Sequence, residues 1–324
     1  MSIARRLGLG RLLYAIWHRP LAGIARSRRE GGPFNQLLNW RGAAAMERAA
    51  ARLPPRPHPA AGAPEVCFLT GRRFWYQTAF CCWSLCQQSG REFAPVFIDD
   101  GSFDPALRDE CMRLFPGARL LGAAEAEAAL DTHLPSGRFP ALRGQRLTYV
   151  HLRKLTDAHA GHGGWRLVLD SDMLVFRRPD ALLSWLDAPD RPVHMLDVKD
   201  AYGYPAAALA ALAPGRPVPE RLNVGVCGLR SDAIDWEKLE FWCQRLLSDY
   251  GTSYFLEQAL VALLLSGESP LRLPAEDYLL MPTESECRRP KAALHHYVAE
   301  SKRGYFRHAW RRVAMTANPP LTAN

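Results

Sequence analysis

Asp170 and Asp172 stand one residue apart in the run Arg-Leu-Val-Leu-Asp-Ser-Asp-Met-Leu-Val-Phe over residues 166–176, closing one apolar stretch and opening the next. In extended backbone, residues i and i+2 point to the same side, so two carboxylates converge on one point. Unpaired at a buried strand end they repel each other and lose hydration, and a divalent cation between them removes both costs. Two hard oxygen ligands suit Mg²⁺ or Mn²⁺, and such metals commonly bring a phosphate-bearing substrate. A bare Asp-x-Asp is more often a solvated turn. The apolar residues on both sides shift the reading toward a metal site.

Holding such a pair requires a strand that ends in it, and the rest of the chain reads as the sheet around that strand. A strand over 65–70 follows the proline-rich linker 54–64, which cannot hold a helix. A helix over 74–89 and a strand over 93–98 ending in Asp99-Asp100-Gly101 come next. Helical patterns follow over 105–115 and 146–160, then the aspartate strand over 166–170. Short apolar runs at 193–198 and 224–229 precede helical patterns over 236–247 and 253–265. Residues 116–145 are rich in Gly and Pro with weak periodicity, and 313–324 read as a loose tail. Strands alternating with helices predict an α/β fold, a mainly parallel sheet with helices on both faces. Ligands in such sheets bind at the carboxyl ends of the strands, so Thr70, Asp99 and the aspartate pair should meet around one cleft.

The chain of 324 residues carries a formal charge of +8. The charge is uneven: residues 1–56 hold eleven arginines against Glu30 and Glu47, so the body is near neutral. Leu7, Leu9, Leu12, Leu13, Tyr14, Ile16 and Trp17 lie among those arginines. This composition suits a helical arm over 1–53 at the interface of an anionic membrane. No stretch is long enough to span a bilayer, and a neutral body disfavours nucleic acid as partner. Eight cysteines sit inside apolar runs without metal or redox spacing, which predicts buried thiols in a reducing compartment. The expected location is the cytoplasm, peripheral to the inner face of the membrane.

Position by position, the domain over 65–312 resembles the metal-dependent GT-A glycosyltransferases, a Rossmann-like nucleotide-binding fold, and within them the retaining, glycogenin-like and lipopolysaccharide-galactosyltransferase-like family 8. The matches, in the family's order, are Leu169-Asp170-Ser171-Asp172-Met173, Leu222-Asn223-Val224-Gly225-Val226, Phe255-Leu256-Glu257-Gln258, and His296-Tyr-Val-Ala-Glu-Ser-Lys302. The resemblance implies that Asp170, Asp172 and His296 hold Mn²⁺ (or Mg²⁺) and that Lys302 contacts the diphosphate of a nucleotide sugar, a UDP-sugar by family habit. It further implies that Lys154 reaches the donor, that Asp197, Asn223, Glu257 and Gln258 surround the transferred sugar, and that Thr70 and Asp99 contact the nucleoside. The acceptor would be a glycan or a lipid-linked sugar, attacked with retention.

Two departures stand out. The family has Gly where this chain has Ala299, and Pro-Trp after the lysine where this chain has Arg303-Gly304. Two alternatives stay open. A sugar-phosphate nucleotidyltransferase also handles nucleotide sugars on an α/β sheet, but carries a glycine run after the first strand, of which Thr70-Gly71-Arg72-Arg73 is only a short echo. A non-catalytic membrane-peripheral protein could keep the fold without turnover.

Overall fold

A computed structural model describes residues 32–317; the basic segment 1–31 and the last seven residues lie outside them. Helix α1 (Pro33–Ala50) opens with proline at its first position, where the missing N–H is no loss. The chain then enters β1 (Glu65–Thr70), α2 (Trp75–Ser89), β2 (Ala94–Asp99), α3 (Pro105–Leu114) and β3 (Arg119–Leu121). Gly90 ends α2 in the left-handed conformation (φ 66°), and the Asp104 carboxylate caps α3 by accepting from the Leu107 N–H at 2.8 Å. Parallel pairing sets Thr70 opposite Asp99, so β1 and β2 end level.

Next come α4 (Ala123–His133), α5 (Pro140–Thr148), α6 (Arg153–His159), β4 (Trp165–Leu169), β5 (Met173–Val175), α7 (Asp180–Asp187) and β6 (Val193–Leu196). After α8 (Ala206–Leu212), β7 (Leu222–Arg230), α9 (Trp236–Tyr250) and α10 (Leu256–Leu264), the remaining strands are β8 (Leu271–Arg272), β9 (Tyr278–Leu280) and β10 (Leu294–His296), with α11 (Glu284–Arg288) between the last two. A single turn, Lys302–Gly304, and a π-helical turn, Tyr305–Ala309, lead into α12 (Trp310–Ala317).

Seven strands form one sheet in the order β3-β2-β1-β4-β7-β6-β8, and β5-β10-β9 form a second. The large sheet is parallel from β3 to β4 and between β6 and β8, while β7 runs antiparallel to both of its neighbours. This is the mainly parallel, helix-flanked α/β fold expected. Three local readings change. The helix expected over 146–160 breaks at Tyr149 into α5 and α6, the weakly periodic stretch 116–145 holds β3, α4 and most of α5, and residues 313–317 continue α12 with Val313 buried.

Alternation along β1 feeds two cores. Val66 and Phe68 pack with Met46, Leu53 and Phe80 under α1 and α2, whereas Cys67 packs with Ala126, Ala158 and Val168 under α4 and α6. A third cluster joins Leu222 to α9 and α10, and the latter is buried from Leu256 to Leu263. Burial of each fully covered phenylalanine contributes roughly 2–3 kcal/mol. All eight cysteines are buried and unpaired. No described helix is long and apolar enough to cross a membrane.

Candidate metal and donor site

β4 ends at Leu169, and the next three residues carry the chain from the large sheet to the small one, where β5 begins at Met173. This crossing turn is pinned from three directions. The Asp170 N–H donates to the Gly225 carbonyl on β7 at 2.8 Å, and the Tyr297 N–H donates to the Asp172 carbonyl at 2.9 Å. Ser171 Oγ donates to the Leu69 carbonyl at 3.1 Å and accepts from Thr78 Oγ1 at 2.7 Å. With the backbone fixed, both carboxylates fall on the same side, as their spacing requires.

β10 runs antiparallel to β5 with His296 opposite Met173, which delivers an imidazole to the same point. His296 Nε2 lies 3.2 Å from Asp172 Oδ1 and 3.5 Å from Asp170 Oδ2. The ring is only 2% exposed, yet neither nitrogen has a hydrogen-bond partner. A buried imidazole left without partners beside two carboxylates, with all three ligand atoms within 4.8 Å of one another, is the donor set a divalent cation completes. Two oxygens and one borderline-soft nitrogen fit Mn²⁺. Gly225 explains how the ring fits: a Cβ there would overlap the imidazole and lie 2.9 Å from Asn223 Oδ1.

Two lysines face the aspartates. Lys302 Nζ is 2.7 Å from Asp172 Oδ2 and donates to Gln77 Oε1 at 3.2 Å. Burial alone would raise the Asp172 carboxyl, but Lys302 and His296 outweigh it and hold the group well below the usual carboxylate range. Lys154 Nζ bridges Asp170 Oδ1 at 2.7 Å and Glu257 Oε2 at 3.0 Å. Burial would lower this ammonium, but the two carboxylates together raise it above its ordinary range. Burial pushes Glu257 up to about 7, with Lys154 opposing the shift and Asp170 adding to it.

Asp197, Asn223 and Gln258 form an adjoining polar cluster. Asp197 Oδ2 accepts from Asn223 Nδ2 at 3.0 Å and from Gln258 Nε2 at 3.4 Å, and Gln258 also donates to the Ala201 carbonyl at 2.8 Å. All eleven residues singled out in the sequence therefore lie in one of these clusters or at the level ends of β1 and β2. Thr70 and Asp99 sit at those ends, but Thr70 is buried with its hydroxyl 2.7 Å from Thr78 Oγ1. Asp99 Oδ1 accepts the N–H groups of Gly101, Ser102 and Phe103. Both side chains thus shape the strand ends. Ala299, the departure noted above, adopts φ +47°, so the alanine keeps the left-handed backbone that glycine prefers.

Sequence reasoning missed Gln77, which positions Lys302, and the buried pair Arg146–Asp157, joined at 2.6 and 2.7 Å. That pair ties α5 to α6 and so orients Lys154. Its signal is two opposite charges inside apolar helical patterns, legible only once α5 and α6 are known to pack.

No protein-family model and no curated protein matches the sequence. Among solved structures, mouse xyloside xylosyltransferase 1 in its apo form superposes with a TM-score of 0.51 at 12% identity, over 74% of this chain and 98% of that one. The galactosyltransferase LgtC in complex with donor and acceptor sugar analogues gives 0.51 at 15% identity, over 78% and 95%. The chain has the GT-A glycosyltransferase fold. On this GT-A fold the four sequence matches converge around the turn between β4 and β5.

Proposed function

We propose that the protein is a metal-dependent glycosyltransferase that moves a sugar from a nucleoside diphosphate sugar, a UDP-sugar in our reading, to a glycan or lipid-linked acceptor with retention of configuration. The observation that carries the reading is the convergence of Asp170, Asp172, His296 and Lys302 on a GT-A fold. Asp170, Asp172 and His296 would hold the cation. Once bound, it supplies positive charge to the departing diphosphate oxygens. Lys302 adds a second positive group beside Asp172, and neither contribution needs a proton transfer. Asp197, Asn223 and Gln258 offer carboxylate and amide groups, already oriented by one another, to the hydroxyls of the transferred sugar. Glu257 holds Lys154 against Asp170 and so fixes the ammonium toward the donor.

Retention is proposed as same-face attack, with the departing diphosphate oxygen taking the acceptor's proton. Thr70 and Asp99 would shape the nucleoside end through the backbone they fix. The nucleotidyltransferase alternative is weakened by the absence of a glycine-rich loop: α2 starts five residues after β1 ends. The test is hydrolysis across a panel of nucleotide sugars with Mn²⁺ and with chelator. Metal-dependent release of nucleoside diphosphate is expected. Pyrophosphate as product, or no turnover with any donor, would contradict the proposal.

A further inference from the structure

α1 presents three large apolar side chains outward. Its buried face is Gly42, Met46 and Ala50. Its solvent face carries Phe34 (70% exposed), Leu37 (46%) and Trp40 (68%) in the first half, then Arg41 and Arg48, with Arg52 exposed in the turn just past its end. At about 100° per residue the five helical positions fall within an arc of roughly 120°. A helix that buries Gly42, Met46 and Ala50 while exposing phenylalanine, leucine and tryptophan has a second apolar face left for a partner.

The partner's chemistry follows from charge. α1 packs against the turns that begin at Lys302: Arg307 Nη2 donates to Asn35 Oδ1 at 2.7 Å, and a Cβ at Gly42 would overlap the Phe306 carbonyl. Residues 284–317, which supply that neighbour, hold eight Lys and Arg against three Glu, whereas residues 57–283 hold 22 Lys and Arg against 28 Asp and Glu. Arg303, Arg307 and Arg311 recur every four residues along this run. Residues 1–31, which join α1 at its apolar end, add seven arginines against Glu30 alone. Apolar aromatics flanked by arginine on an otherwise acidic body complement an anionic lipid surface.

We propose that the outward face of α1, with the arginines beside it, docks the protein on an anionic bilayer. Phe34, Leu37 and Trp40 enter the interface, and Arg41, Arg48 and Arg52 lie on the headgroups. Docking there places the helical run that carries Lys302 directly behind α1, one helix layer from the bilayer and from a lipid-linked acceptor.

The test uses the full chain, sedimented with phosphatidylcholine vesicles and with vesicles containing about 30 mol% phosphatidylglycerol. Wild type is expected to pellet with the anionic vesicles only. The triple variant Phe34→Ser, Leu37→Ser, Trp40→Ser, and separately Arg41→Glu with Arg48→Glu, are expected to lose at least about tenfold in partitioning while keeping wild-type nucleotide-sugar hydrolysis in solution. Binding by both variants equal to wild type would overturn the proposal, assigning docking to residues 1–31. So would equal binding to neutral vesicles, or a concentration-dependent dimer abolished by the triple variant, which would make a second copy the occupant. Wild type that pellets as expected but hydrolyses no nucleotide sugar would support docking and contradict the proposed function.

Discussion

The imidazole of His296 stacks so closely over Gly225 that no side chain fits between β7 and β10 at that point. The glycine therefore makes room for the proposed metal ligand without supplying a donor atom itself. Gly225→Ala should displace the ring and weaken Mn²⁺ binding about 10- to 100-fold, with the fold retained. Calorimetric Mn²⁺ titration alongside a thermal melt checks this, and unchanged affinity would contradict the role.

In the proposed reaction Lys302 contributes charge rather than a ligand. Lys302→Met should lower nucleotide-sugar turnover by about 10²–10³-fold. Mn²⁺ affinity should be equal or tighter, because Asp172 then faces one cation fewer. Turnover assays paired with metal titration separate these outcomes.

Ala299 is exposed and holds φ +47° between His296 and Lys302. Left-handed backbone costs a non-glycine residue roughly 1–2 kcal/mol, partly offset by the greater unfolded-state entropy of glycine. Ala299→Gly should therefore stabilise the protein by about 0.5–1 kcal/mol, read as a rise in urea midpoint. Destabilisation would mean that the alanine makes contacts that matter more than the strain.

His159 is buried at the end of α6, with Nδ1 2.8 Å from Ser231 Oγ. Burial, reinforced by Arg166 and His162, pushes its pKa down to about 3 from 6.5. The unfolded chain therefore binds the proton more readily, so the stability associated with neutral His159 is present above pH 6.5 and lost as pH falls toward 3. Between pH 7 and pH 5 the wild type should lose about 2 kcal/mol more than His159→Gln. Urea melts at the two pH values measure the difference, and parallel losses would refute it.

Residues legible in the sequence were those where polar groups punctuate apolar runs: Asp170 and Asp172 at the end of β4, Asp197 after β6, and Asn223 within β7. Order along the chain supplied His296 and Lys302, the first on strand β10, only three residues long and without a period of its own, the second on the single turn that follows. The second sheet stayed hidden for the same reason, since β5 and β9 are equally short. The direction of β7 was also illegible, because alternation reports burial and not strand sense. Pairs such as Lys154–Glu257, more than a hundred residues apart, exist only once α6 and α10 flank the same turn. The outward face of α1 was invisible because its sequence alone does not say which side the domain covers.

The central claim is that Asp170, Asp172 and His296 together hold one divalent cation that the nucleoside diphosphate helps to retain. Electron paramagnetic resonance of Mn²⁺ titrated into wild type and Asp172→Ala, with and without UDP, tests it most directly. The account predicts one bound Mn²⁺ in wild type, tightened by UDP, and no site binding in Asp172→Ala with its circular dichroism unchanged. Equal Mn²⁺ binding by the two proteins would contradict it.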